Sequence, residues 1–124
     1  MWKSILAVSV ASLALAAAGS ASDLPAGWTH AEINYSVNRV PHTLILDRGR
    51  VTAVSPGSLT IHEADGSSVQ VALAPDTEIV VDGRPGQVSD IRRGVTAVTQ
   101  RIDGGAARLV KVHVPPRLLR LARR

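Results

Sequence analysis

A proline-glycine pair, Pro56-Gly57, stands between two short aliphatic runs, Val51–Val54 and Leu59–Ile61. Proline presets the first corner of a tight turn and glycine tolerates the second, so the two runs must fold back on each other as strand, turn, strand. The rest of the chain repeats that unit. Asp65-Gly66 is a hairpin dipeptide, followed by alternating Ser68–Leu73. Pro75-Asp76 is expected to turn into a strand over Thr77–Val81, which Asp82-Gly83 ends. Val95–Gln100 and Ala107–Val114 are two more strands, separated by Asp103-Gly104-Gly105. In the last of them Val110, Val112 and Val114 are predicted to face in, and Lys111 and His113 out.

Two segments depart from this rhythm. Gly86–Gly94 suits one helical turn, with Ser89 as N-cap and Gly94 just past the end, and Val88 and Ile91 would plug one end of a barrel. Leu44–Val54 reads as one long strand or two, and Gly49 near its middle suggests a bulge or bend. Upstream, Ala31, Ile33, Tyr35 and Val37 alternate with Glu32, Asn34, Ser36 and Asn38, a strand with one face on the core. Val40-Pro41-His42-Thr43 is expected to break it. The predicted fold class is all-β: a small closed or partly open barrel of the OB or SH3-like kind with one short helical turn, preceded by a signal helix.

Composition limits what such a barrel can do. The chain has no cysteine and no phenylalanine, and Trp2, Trp28 and Tyr35 are its only aromatics. The core must therefore be Val, Leu, Ile and Ala, without disulfides or thiolate chemistry. Met1-Trp2-Lys3, the apolar run Ile5–Ala18 and the small residues around Gly19-Ser20-Ala21 have the three-part layout of a secretory leader. Cleavage is expected after Ala21. The expected parts are a signal peptide (1–21), a linker with one strand (22–43), the barrel (44–114) and a basic tail (115–124). The expected address is the periplasm, cell envelope or extracellular space.

The formal charge of +4 belongs to the tail, because residues 22–114 carry nine Lys/Arg against ten Asp/Glu. Arg117, Arg120, Arg123 and Arg124 follow Pro115-Pro116 with no acid among them. They are the candidate binding residues, acting electrostatically on an anionic membrane surface or an envelope or extracellular protein. A basic end that only keeps the chain soluble fits the same residues. Sedimentation with anionic liposomes, with and without residues 117–124, separates the two. Base stacking would need aromatic platforms that the barrel lacks, which argues against nucleic acid.

Further marks are Arg48-Gly49-Arg50-Val51-Thr52-Ala53-Val54, Leu59-Thr60-Ile61, Asp65-Gly66, Asp76-Thr77-Glu78-Ile79, Asp90-Ile91-Arg92-Arg93-Gly94 and the strand from Ala107 to Val112. In these the chain resembles a family of exported bacterial small β-barrel domains of unknown function, OB-like in form. The resemblance covers roughly residues 48–112; it implies a barrel and export, and carries no catalytic residues. The glycine-led first strand and Leu59-Thr60-Ile61-His62 are also similar to periplasmic copper-chaperone barrels. That family's Cu(I) site needs methionines and a tryptophan beside the histidine, and this chain has no methionine beyond Met1 and no tryptophan after Trp28.

His30, His42, His62 and His113 have no partner at the short spacing of zinc or metalloprotease motifs, and they are read as solvated surface groups. Asp47, Asp65, Asp76, Asp82, Asp90 and Asp103 are read mostly as turn residues. Nothing in the sequence marks a carboxylate pair in one cleft, a Gly-x-Ser-x-Gly elbow or a phosphate-cradling glycine loop. No enzyme activity, metal site or cofactor is expected. The expected function is a non-catalytic exported binding or scaffold module, the alternative a small ligand- or metal-binding periplasmic carrier.

Overall fold

A computed structural model describes residues 24–114. The leader and the arginine tail, with Arg117, Arg120, Arg123 and Arg124, lie outside the described residues. The elements are β1 (His30–Val37), β2 (Val40–Ser55), β3 (Ser58–His62), β4 (Ser68–Val81), β5 (Arg84–Pro85), a 3-10 turn (Val88–Asp90), β6 (Thr96–Ile102) and β7 (Ala107–His113). β2, sixteen residues long, organises them. Its C-terminal half returns through Pro56-Gly57 as β3, with Ser55 opposite Ser58 and Val51 opposite Ile61. The sheet then runs β3–β4–β7–β6, and β6 pairs back onto β2, so five strands close into a barrel. The β4–β7 pair is parallel; every other pair is antiparallel.

One edge of β2 carries β6 along Leu44–Arg50. The other edge carries two strands in succession: β1 along Val40–Asp47, then β3 along Arg50–Ser55. The start of β1 therefore abuts the end of β3, and this seam in the barrel wall positions the site described below.

Alternation fills the barrel. Val51, Leu59, Ile61, Val71, Ile79, Ala97, Val110 and Val112 are buried in one aliphatic core, with Ile91 at 5% exposure and Val88 packed against it. The helical plug thus uses the two residues expected of it. Its start differs: Gln87 is the N-cap, the Gln87 side chain and Asp90 form a reciprocal capping box, and Ile91 rather than Gly94 ends the turn. Ser89 lies inside the turn. Lys111 and His113 are exposed as alternation requires.

A second core lies on the outer side of the barrel wall. Leu44 and Leu46 are buried there under Leu24, Trp28, Ala31, Tyr35 and Ile102. The strand at 30–37 is therefore real, and its apolar face covers the outside of the barrel instead of joining its interior.

Three local expectations are corrected. The β1–β2 connection is the two-residue turn Asn38-Arg39, both with positive φ, and Pro41 lies inside β2 opposite Ser36. Pro41 is tolerated because β6 pairing begins only at Leu44, so one edge of β2 is free there and no ladder bond is lost. Pro75-Asp76 likewise sits within β4, not in a turn. Ladder pairing stops at Leu73 and resumes at Glu78, and the Thr77 hydroxyl bridges the gap. It accepts from the Ala74 N–H at 2.9 Å and donates to the Ala107 carbonyl at 2.7 Å. Finally, the bulge in β2 falls between Val51 and Ala53, not at Gly49. Gly49 serves close approach: a Cβ there would press on the Ile61 side chain and the His62 carbonyl, with the carbonyl carbon 2.8 Å away.

Candidate functional site

The seam gathers charged side chains that are far apart in sequence. Asp47 is opposite His30 across β1–β2 and opposite Thr99 across β2–β6, so all three share the inner face of the wall. Glu63 follows β3, continuing the inward phase of Leu59 and Ile61, and is 3% exposed. Asp47 and Thr99 are fully buried. His30 Nδ1 lies 2.6 Å from Asp47 Oδ1, and its Nε2 lies 3.3 Å from Glu32 Oε1 at the surface. Arg101 Nη2 donates to Asp47 Oδ2 at 3.4 Å. His30 is the solvent-facing member, with 44% of its side chain exposed over a carboxylate that is 1% exposed.

These contacts set the charge states. Burial pushes the Glu63 carboxyl up to about 7, and the bond to Asp47 and its negative charge push the same way. His30 is raised above its ordinary value, first by its bond to Asp47 and then by Glu32, against the opposing cost of burial. The Glu63 Oε1 and Thr99 Oγ1 atoms are buried without any hydrogen-bond partner in the protein. Asp47 has Arg101 and His30 beside it, whereas the adjoining Glu63 has no ion-pair partner among the described residues, and a proton or a further cation would neutralise it. A nitrogen of His30 and one oxygen each from Asp47 and Glu63 all lie within 4.8 Å of one another.

The other histidines make ordinary surface contacts. His42 stacks on Tyr35 with ring centroids 5.5 Å apart, and its Nδ1 is 2.6 Å from Asp103 Oδ2. Asp103 also accepts from the Thr43 N–H, and these two bonds hold its carboxyl below the usual range. His62 is exposed beside Ser68, and His113 is exposed beside Asp82. These contacts staple turns to strands. Gln100, also fully buried with both amide atoms unpartnered, pairs with Leu46 and faces the outer core, away from the seam.

By sequence spacing alone His30 is a solvated group and Asp47 one of a set of aspartates found mostly in turns, and nothing joins either to Glu63. The available signal was phase. Asp47 lies two residues before Gly49 and four before Val51, and Glu63 two after Ile61, so each acid occupies an inward position of its strand. No protein-family model, curated protein or solved structure matches the chain.

Proposed function

We propose that the protein is an exported, non-catalytic barrel of the OB-like type that holds a small cationic ligand or a metal ion at the β1–β3 seam. The OB-like assignment is supported by the strand order: five strands closed in the sequence first, second, third, fifth, fourth, with the third and fifth parallel. Export is supported by the leader pattern of residues 1–21. The observation that carries the binding role is the pair of buried carboxyls, Asp47 and Glu63, beside the half-exposed His30, with Glu63 Oε1 and the neighbouring Thr99 Oγ1 lacking any hydrogen-bond partner. Binding fits this arrangement better than turnover, because both acids are buried in the strand wall, at 0% and 3% exposure.

A panel of metal ions and small organic cations, read by thermal unfolding, tests the role. At least one is expected to raise Tm saturably in the wild type and not in an Asp47→Asn, Glu63→Gln double variant that retains its strand signal by circular dichroism. If none does, the binding role fails.

The module reading stands second, on a different observation. Residues 40–42 of β2 have ladder partners on β1 alone among the described residues, so the tip of the β1–β2 hairpin overhangs the barrel. Ile33 and Val40 are 39% and 53% exposed on one face of it. A two-stranded ribbon with bare aliphatic residues is suited to contact with another envelope or extracellular protein.

A further inference from the structure

The donor set at the seam points to one class of ligand. We propose that His30, Asp47 and Glu63 form a three-ligand site for a single borderline divalent transition ion of the zinc class, joining the start of β1 to the end of β3. This inference rests on the binding role above and narrows it. The three donor atoms lie within 4.8 Å of one another. An ion with ligand bonds of about 2.0–2.2 Å closes that set through side-chain movement alone: the 2.6 Å His30–Asp47 contact opens and Glu63 draws in.

Two unpartnered oxygens point to a ligand, one on the cluster's own Glu63 and one on Thr99 outside it. Glu63 Oε1, on a residue 97% buried by its 3% exposure, has no donor. Thr99 Oγ1, fully buried and in register with Asp47 on the same inner face, has no partner either and is available to a water on the ion. Arg101 holds Asp47 Oδ2, which orients the carboxylate and leaves Oδ1 for the metal, as outer partners of metal ligands do.

The chemistry of the donors selects the ion. One imidazole with two carboxylates suits zinc and its neighbours, completed by water in the open position. Calcium requires about six to eight oxygens, and magnesium a near-octahedral oxygen shell, neither of which three protein donors supply. Soft Cu(I) would need sulfur ligands, and the chain has no cysteine and a single methionine at position 1. His30, at the surface, is the ligand through which the ion enters.

Calorimetric titration of the purified, chelator-stripped protein with zinc chloride is expected to give one site per chain, with calcium and magnesium bound at least about a hundredfold more weakly. His30→Asn and Glu63→Gln are each expected to weaken zinc by on the order of tenfold to a hundredfold, with the strand signal unchanged. Nitrogen-15 spectra of the imidazoles should show zinc shifting the His30 ring and leaving His42, His62 and His113 in place. Zinc binding that survives both substitutions, or that shifts another ring, overturns the site. If magnesium or an organic cation binds at Asp47 and Glu63 while zinc does not, the ion class is wrong and the binding role survives. If nothing binds, both fall.

Discussion

Gly49→Ala is expected to cost about 3 kcal/mol or more, because the added methyl meets backbone as well as a side chain buried in the core. The His62 carbonyl and the Ile61 Cγ2 occupy the space where Cβ would lie. Ile61 is fully buried in the main core, and His62 is fixed by its pairing to both Arg50 and Ser68, so neither can retreat without opening the β2–β3 or β3–β4 ladder. In a domain of this size the loss corresponds to a fall in Tm of roughly 10–20 °C. Gly57→Ala is the matched control: nothing lies within 4 Å of its Cβ position, so the same change there should be nearly neutral. Thermal unfolding of the two variants decides the matter. Equal Tm values would show that β2 and β3 are not in close contact at Gly49.

That glycine illustrates which features were legible before the structure. A glycine inside a strand was visible in the sequence, but its cause was not, because a bend and a close approach leave the same mark. The turns at Pro56-Gly57, Asp65-Gly66 and Asp103-Gly104 were legible because their dihedral demands are local. The inward Val110 and Val112 and the plug residues Val88 and Ile91 were legible because periodicity is local too. Asn38-Arg39 was missed because arginine rarely takes positive φ, and Pro41 and Pro75 were misread as breaks. A proline breaks a strand only where a neighbour needs its N–H, and the sequence does not show which stretches of β2 and β4 lack a neighbour. The site was hidden for the same reason. His30, Asp47 and Glu63 meet because β1 and β3 share one edge of β2, which is a property of pairing and not of spacing. What the chain did display was the anomaly of two acids at inward positions, and in a small aliphatic barrel a buried acid always needs a physical explanation.

In the presence of a chelator, stability is expected to fall as pH rises from about 5 to 8, the reverse of the usual behaviour of buried carboxylates. The Glu63 carboxyl titrates near 7 in the fold against 4.5 when free. Between those values the folded chain holds a proton that the unfolded chain has released, so each step up in pH favours unfolding, by a total of about 3 kcal/mol. His30 acts in the same direction: its raised value means that its contribution is complete below 6.5 and is lost as pH climbs through the folded value. The charges around the pair are Asp47 and Arg101 from β2 and β6, Glu32 from β1 and Asp65 from the loop after β3. Asp65 and Asp103 titrate below their ordinary 3.8, held there by Ser67 and His42 respectively, so their contributions disappear only in stronger acid. A stability maximum near pH 5 follows. Glu63→Gln keeps the shape, removes the titrating group and can donate an N–H to Asp47. It should flatten most of the slope, leaving the variant close to wild type at pH 5 and more stable than wild type at pH 8. Urea unfolding at both pH values provides the comparison. A wild type that gains stability toward pH 8, or a Glu63→Gln variant with an unchanged slope, would mean that Glu63 does not hold a proton in the barrel wall.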